Sequence, residues 1–278
     1  VQTVHYHVVS TYQIEEGLGV VRDPHVESLI YKLQTVENVT YDNPSPLEID
    51  YEEFSGRLEN GVLTCQMKGH YPSIEAARRV VDPYLRAWEI DAALSLGRGE
   101  IRFIYEDGKV VDRNPPLPGE PQVLEISSTG HLHFSGTATI HVTRKQYPKP
   151  PKTFKVSPDV QTLWHRYEMY LDGKEPLLSM AYFCLTVIEA KAGGRLRASA
   201  MFAIEEQVLR KLGELTSVRG DSLTARKAPR NTTVIPLADK ERAWIEAVIK
   251  QLIRRVGELA SWHTPSKLKI TDLPSLTR

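Results

Sequence analysis

The hydrophobic periodicity of the chain changes once, near residue 145, and this change constrains the fold more than any other feature. Before it, apolar residues mostly alternate with polar ones, as in half-buried strands. After it, they recur every three to four residues, as in amphipathic helices. The change coincides with residues 144–158 (RKQYPKPPKTFKVSP), which hold four prolines, five basic residues and no acid. This composition is typical of an extended, semi-rigid linker.

The sequence therefore predicts two domains in its 278 residues, each able to fold alone. We expect an acidic α+β domain at 1–145, a Pro/Lys-rich linker at 146–156, a basic helical bundle at 157–263 and an extended tail at 264–278. The predicted fold class is α+β: an N-terminal antiparallel sheet with one long helix, followed by an all-α four-helix bundle.

Alternation of apolar and polar residues predicts strands in the N-terminal part. It occurs at 4–12, 63–67, 101–105 and 131–145. The Asp107-Gly108 dipeptide predicts a further hairpin turn. One helix is expected to begin at the N-cap Ser73 and to end at Gly97, because apolar residues recur at helical spacing between them. Pro83 is expected to kink this helix or to split it in two.

Helical periodicity predicts four helices in the C-terminal part. They are expected from about Ser157 to Tyr170, from Glu175 to Ala190, from Leu196 to Leu215, and from Asp239 to beyond Leu259. The second is the most apolar, and we place it at the centre of an up-down bundle. The tail beyond Pro265 is expected to be extended or frayed.

The charges are segregated along the chain although the net charge is zero. Residues 1–142 hold 11 Lys/Arg and 21 Asp/Glu, a net of −10, whereas residues 143–278 hold 24 and 14, a net of +10. A basic part attracts nucleic acid or an acidic surface. Two interpretations stay open: the basic part contacts RNA or another single-stranded nucleic acid, or the two parts dock on each other through their opposite charges.

A long connection, residues 217–237, is predicted between the last two helices. It carries Arg219, Arg226, Lys227 and Arg230 against the single acid Asp221. Loops of this length inside a tight bundle are uncommon, and they are often functional. The four cations predict a nucleic-acid-binding site that holds phosphates. The alternative is a solvated loop whose arginines pair with acidic residues of the N-terminal sheet.

Histidines, cysteines and catalytic motifs predict no metal and no cofactor. The His-x-His pairs are His5, His7, His131 and His133. Such a pair on a strand points both imidazoles to one face, as metal sites require, but all four occupy the polar phase of their strands and no acid or cysteine accompanies them. The two cysteines, Cys65 and Cys184, lie singly in apolar stretches, which excludes a disulfide framework. Catalytic templates fit badly, so whether the protein is an enzyme stays open.

The C-terminal part, about Ser157 to His263, resembles the HEPN superfamily of small helical bundles. The resemblance rests on four helices, a strongly apolar second helix, and the dipeptide Arg230-Asn231 ahead of the last long helix. In the active ribonucleases of that family a histidine follows the Arg-polar pair at a short fixed spacing, and Arg230 has none there. The resemblance therefore implies a catalytically inactive member that binds RNA or dimerises.

The leading hypothesis is a bacterial, intracellular two-domain protein whose basic bundle binds nucleic acid or a protein partner, regulated by the acidic domain. One alternative is an RNA-cleaving, HEPN-like enzyme that uses Arg226, Arg230, Arg255 and His263. Another is a pure interaction module that forms a homodimer through the bundle. No apolar run approaches the roughly 20 residues that span a bilayer, and the N-terminus lacks the features of a signal peptide, so a cytoplasmic location without membrane contact is expected.

Overall fold

The computed structural model describes residues 22–36, 39–114, 142–220 and 235–276. In chain order, the strands are β1 (Pro24–Gln34), β2 (Val39–Tyr41), β3 (Leu47–Asp50), β4 (Phe54–Glu59), β5 (Val62–Met67), β6 (Arg102–Asp112) and β7 (Val142–Arg144). Five of them form an antiparallel sheet in the order β3-β4-β5-β1-β6, and β2 and β7 form a parallel pair. Helix α1 (Ile74–Leu96) lies between β5 and β6 in the chain and packs on the sheet.

Strand β1 lies inside the sheet, where it pairs with the central strand β5 on one side and with the edge strand β6 on the other. Leu29 lies opposite Cys65, and Tyr31 lies opposite Leu63. All four side chains are buried. The alternation predicted at 63–67 is therefore confirmed, and its apolar phase forms the first hydrophobic core together with α1.

The prediction of a hairpin turn at Asp107-Gly108 is wrong. Strand β6 runs through both residues and pairs with β1 along its whole length, with a register shift between Ile30 and Tyr31. Gly108 is buried, and a Cβ atom there would lie 3.1 Å from Cδ2 of Leu29. Glycine here allows a close approach inside an irregular strand rather than a turn.

Helix α1 has the predicted ends. The Ser73 hydroxyl accepts a hydrogen bond from Ala76 N at 3.2 Å, and the helix is capped by Gly97. The expected split at Pro83 does not occur, because α1 continues through the proline. Two faces of α1 are buried. Val81, Leu85 and Trp88 lie in the first core, whereas Ile90 and Leu94 lie in the second core, which the C-terminal helices form.

The C-terminal part is helical, and with it the predicted α+β class is confirmed. Its helices are α2 (Pro158–Leu171), α3 (Leu177–Ala192), α4 (Arg195–Met201), α5 (Glu206–Val218) and α6 (Asp239–Ala260), followed by a 3₁₀ turn at Ile270–Asp272. The apolar helix α3 contacts α2, α4, α5 and α6, as its predicted central position requires. Among the described residues, no single helix has the length and apolarity to cross a bilayer.

The predicted third helix is divided into α4 and α5. At the division, Ala203 has a φ of 50° and Ile204 forms a β-bridge with Leu268 of the tail. Leu268 N donates to Ala203 O at 2.8 Å, and Glu205 N donates to Leu268 O at 2.8 Å. Leu268 and Leu273 are buried. The tail is therefore packed on the helices, and it does not fray within the described residues.

Residues 146–156 pack against both cores. Tyr147 is buried in the first core and Phe154 in the second. The Trp88 indole donates a hydrogen bond to Pro148 O at 2.9 Å. The independent folding of two domains stays a prediction, and the two cores share helix α1 and the ends of this segment.

Candidate nucleic-acid interface

Three lysines of the Pro-rich segment form a row that we call the lysine strip: Lys149, Lys152 and Lys155. All three are exposed, and none forms an ion pair with another described residue. Pro150 and Pro151 between them are partly buried. The backbone of this segment is irregular and bends at 152–153. The three lysines therefore lie along one exposed segment, without a regular repeat that would fix all of them to one side of it.

Helix α6 anchors one end of the lysine strip. Phe154 is 5% exposed, and a Cβ atom on Gly257 would lie only 2.2 Å from its ring. Lys155 N donates to Gly257 O at 3.0 Å. Glycine at position 257 thus allows the Phe154 ring and the Lys155 backbone to approach α6 closely. This contact fixes the position of Lys155.

An apolar groove of about 460 Å³ lies beside the lysine strip, between α1 and residues 151–156. Tyr51 and Tyr84 form an aromatic wall, with ring centroids 4.5 Å apart. Lys152 and Lys155 also line the groove. Its volume lies within the range of small-ligand pockets, and such pockets occur preferentially where two structural units meet.

Glu53 orients this aromatic wall. The Tyr84 hydroxyl donates a hydrogen bond to Glu53 Oε2 at 3.0 Å. Burial, reinforced by this bond and by the Glu53 charge, raises the pKa of Tyr84 to about 12. The hydroxyl therefore stays protonated at neutral pH and keeps the ring in place. Aromatic surface beside exposed cations is the combination that binds single-stranded nucleic acid without sequence preference.

The basic charge of the C-terminal part is concentrated in the Pro-rich segment. Residues 143–156 hold five Lys/Arg and no acid, whereas residues 157–263 hold 16 Lys/Arg and 13 Asp/Glu, a net of only +3. Residues 264–278 hold three basic residues and one acid. We therefore expect the highest density of positive charge at the lysine strip rather than on the helices.

Ion pairs between the two parts do not involve the lysine strip. In the part of the chain that the structure describes, five ion pairs join residues 22–114 to residues 143–276. In three of them a C-terminal cation meets an N-terminal acid: Arg144–Glu100, Lys145–Asp42 and Arg254–Asp91. In Arg86–Glu168 and Arg98–Asp172 the polarity is reversed. Opposite charges therefore contribute to the contact between the two parts, but none of these pairs uses Lys149, Lys152 or Lys155.

The long connection between α5 and α6 is described only at its ends. Arg219 Nε and Nη2 donate to the Glu241 carboxylate at 2.8 to 3.0 Å. Although burial acts to raise it, these bonds hold the pKa of Glu241 below its usual range. Arg219 therefore pairs within the helical part and not with the N-terminal sheet. Gly220 N donates to Ile235 O at 3.0 Å, which brings the two ends together. Arg226, Lys227 and Arg230 lie outside the described residues.

The residues considered for RNA cleavage are not assembled in the described part of the chain. Arg255 is buried and pairs with Glu258 at 3.3 Å on the same helix. His263 is exposed beyond the end of α6. Arg226 and Arg230 lie outside the described residues. Because Arg255 is engaged below the surface, it is poorly placed to meet a substrate.

The histidines singled out from the sequence, His5, His7, His131 and His133, all lie outside the described residues. Within the described ranges, no three His, Cys, Asp or Glu side chains are grouped as metal ligands. The sequence reasoning missed another pair. The rings of His25 and His70 stack with centroids 5.5 Å apart. These residues are distant in sequence, so no local motif indicates the pair.

His25 is buried, and its ring lies beside the cationic side chain of Arg113. Arg113 Nη2 lies 3.1 Å from His25 Nε2, and His70 Nε2 lies 3.2 Å from a carboxylate oxygen of Asp23. Burial, followed by the charges of Arg113 and His70, lowers the pKa of His25 from 6.5, while Asp23 and Glu27 act more weakly in the opposite direction. Protonation of the imidazole is therefore less favourable in the folded protein than in the unfolded chain.

We expect the free energy of unfolding to decrease as the pH falls below about 6.5, because unfolded His25 then binds a proton that the folded site resists. This contribution is complete above the unfolded pKa and is lost as the pH falls towards the folded pKa. Urea unfolding of wild type and of His25→Gln between about pH 7.5 and 5 measures it. The variant should have a shallower pH dependence, with His263→Gln, at an exposed histidine outside this cluster, as the matched control. Equal slopes for wild type and His25→Gln would contradict this assignment.

No protein-family model, no curated protein and no solved structure matches the chain. The resemblance to the HEPN superfamily therefore stays a prediction.

Proposed function

We propose that the protein binds single-stranded nucleic acid along the lysine strip, with the aromatic groove beside it. The observation that carries the proposal is a row of exposed lysines that form no ion pair with any described residue and lie next to a wall of tyrosine rings. Lysines attract phosphates whatever the base sequence. Aromatic surfaces provide the contact with bases that phosphate attraction alone lacks.

Single strands fit this surface better than duplexes. Stacking on a protein side chain requires a base whose face is free, and in a duplex the neighbouring bases cover both faces. The groove has room for one small ring system rather than for a helix of nucleic acid. Phosphates held by the strip would keep the strand beside the mouth of the groove.

The acidic N-terminal part takes a regulatory role in this proposal. Tyr51, Glu53 and Tyr84 come from it, so the groove is built from both parts of the chain. Its net charge of −10 over residues 1–142 repels phosphates and restricts the strand to the basic side. The cations of the connection at 217–237 add to the attraction from the C-terminal part.

Replacing Lys149, Lys152 and Lys155 together by alanine is expected to flatten the salt dependence of binding. Each phosphate contact to a single strand contributes about −0.7 to the slope of log affinity against log salt, so three lost contacts reduce the slope by about 2. Fluorescence anisotropy with a labelled single-stranded RNA of mixed sequence, from about 25 to 200 mM salt, measures the slope.

The matched control removes three exposed cations from the acidic part, Arg22, Lys32 and Arg102. It changes the net charge equally and should leave the slope close to that of wild type. A strip variant with the wild-type slope would show that other residues contact the phosphates. The triple alanine variant of Arg226, Lys227 and Arg230 then tests the long connection in the same assay. Absence of binding by the wild-type chain at the lowest salt would contradict the proposed function.

A further inference from the structure

Trp262 lies two residues beyond the end of helix α6 and is 93% exposed. The other three tryptophans of the chain, Trp88, Trp164 and Trp244, are at most 3% exposed. Burial of an indole normally contributes strongly to folding, and Trp262 contributes almost nothing of this kind. Packing inside the protein therefore does not explain a tryptophan at this position.

The backbone of Trp262 is also unfavourable for a large side chain. Its φ is 59°, in the left-handed region. Trp262 N donates to Leu259 O and His263 N donates to Glu258 O, both at 3.0 Å. These two bonds form a Schellman motif, in which the left-handed position is usually glycine. A bulky residue there is strained relative to glycine.

The exposure of the indole and the left-handed backbone are thus both unfavourable for tryptophan at this position. Both indicate a contact between Trp262 and another molecule. The lysine strip provides the chemical context. Phe154 and Lys155 contact Gly257, which lies in the last turn of α6 and five residues before Trp262 in the sequence. Five residues of chain span at most about 18 Å, so Trp262 lies within that distance of the Gly257 contact. The exposed His263 lies next to it.

We infer that Trp262 is a stacking site for an unpaired base of a single-stranded nucleic acid whose phosphates lie along the lysine strip. The inference rests on the proposed function and adds a specific base contact to it. An indole stacks on any base, so this contact gives affinity without sequence preference. The strained, exposed position presents both faces of the ring to the strand.

The exposure pattern supplies a direct test, because Trp262 is the one tryptophan that a dissolved quencher reaches readily. A single-stranded oligouridylate added to the full chain should quench its emission and protect it from acrylamide. Trp262→Phe should remove the acrylamide-sensitive emission and with it the response. If anisotropy reports binding of the oligouridylate while the emission and the acrylamide quenching stay unchanged, the inference is wrong and the proposed function stands.

A second variant separates stacking from folding. Trp262→Gly should weaken oligouridylate binding by about five- to a hundredfold, the range for one lost stacking contact. It should also raise the melting temperature by about 2–4 °C, because glycine suits the left-handed position. Trp262→Phe should retain most of the affinity.

Two results would overturn the inference. Wild-type affinity in Trp262→Gly means that no base stacks on the ring. A lower melting temperature in Trp262→Gly means that the indole serves the fold. If the wild-type chain does not bind the oligouridylate at any salt concentration, the proposed function fails and the inference fails with it.

Discussion

Phe154→Ala is expected to lower the free energy of unfolding by about 3–5 kcal/mol, the range for truncating a buried aromatic residue. The ring is 5% exposed and occupies the space over Gly257 that a side chain would fill in an ordinary helix. Its removal leaves a cavity between α6 and the lysine strip. Equilibrium urea unfolding measures the loss. Binding of single-stranded RNA should weaken as well, because Lys155 loses its anchor.

A double-mutant cycle with Gly257→Ala isolates the contact. The added methyl group alone would lie 2.2 Å from the Phe154 ring, and such overpacking costs about 1–3 kcal/mol. In the double variant the methyl group enters the space that the ring leaves, so the two losses should sum to more than the measured loss. Strict additivity would contradict direct packing of Phe154 on Gly257.

Arg144→Ala is expected to cost about 3 kcal/mol, the lower end of the range for breaking a buried ion pair, because one partner is partly exposed. The Glu100 side chain is 2% exposed and that of Arg144 is 29% exposed. Arg144 Nη2 donates to Glu100 Oε2 at 3.1 Å, and its Nε donates to Oε1. The Tyr41 hydroxyl donates a third bond at 3.2 Å. Without the guanidinium, Tyr41 alone faces a buried carboxylate.

Two further variants serve as controls for Arg144→Ala: one breaks an exposed ion pair, and the other adds a second substitution that should restore stability. Arg57 pairs with Glu48 and Glu59 on the surface of the sheet, and Arg57→Ala should cost less than about 1 kcal/mol. Adding Glu100→Gln to Arg144→Ala removes the uncompensated charge and should restore part of the stability. Thermal or urea unfolding of these variants gives the comparison. Equal losses for Arg57→Ala and Arg144→Ala would contradict the burial of the Glu100 pair.

Elements with strong local signals were predictable from the sequence. Ser73 and Ser157 both accept the N-cap bond expected of them, from Ala76 and Val160 respectively. Helix α3 ends at Ala192, two residues beyond the predicted end, and Gly193 caps it in the left-handed region. In each case the determining interaction lies within one helical turn, so the local residue types were sufficient.

Elements that depend on distant residues were not predictable. The break between α4 and α5 occurs where Ile204 pairs with Leu268 of the tail. From the sequence alone, Gly108 is typical of a turn. Only the structure shows that Leu29 of the neighbouring strand lies against it. Both outcomes were decided by tertiary contacts, which override local propensity.

The candidate site was not predicted from the sequence, which places the phosphate-binding cations in the connection at 217–237. The lysines at 149, 152 and 155 are evident in the sequence, where their prolines indicate a linker. Their anchoring on Gly257 and the groove beside Tyr84 require the packing of two distant parts of the chain. Trp262 carries no sequence signal, because its exposure and its backbone conformation are evident only in the fold.

Photochemical cross-linking tests the central claim most directly. The full chain is bound to a single-stranded RNA that contains 4-thiouridine, irradiated, digested and analysed by mass spectrometry. We expect cross-linked peptides that contain residues 149–155 and Trp262, and we expect to lose them when Lys149, Lys152 and Lys155 are replaced by alanine. Cross-links confined to residues 22–114, or unchanged in that variant, would contradict binding along the lysine strip.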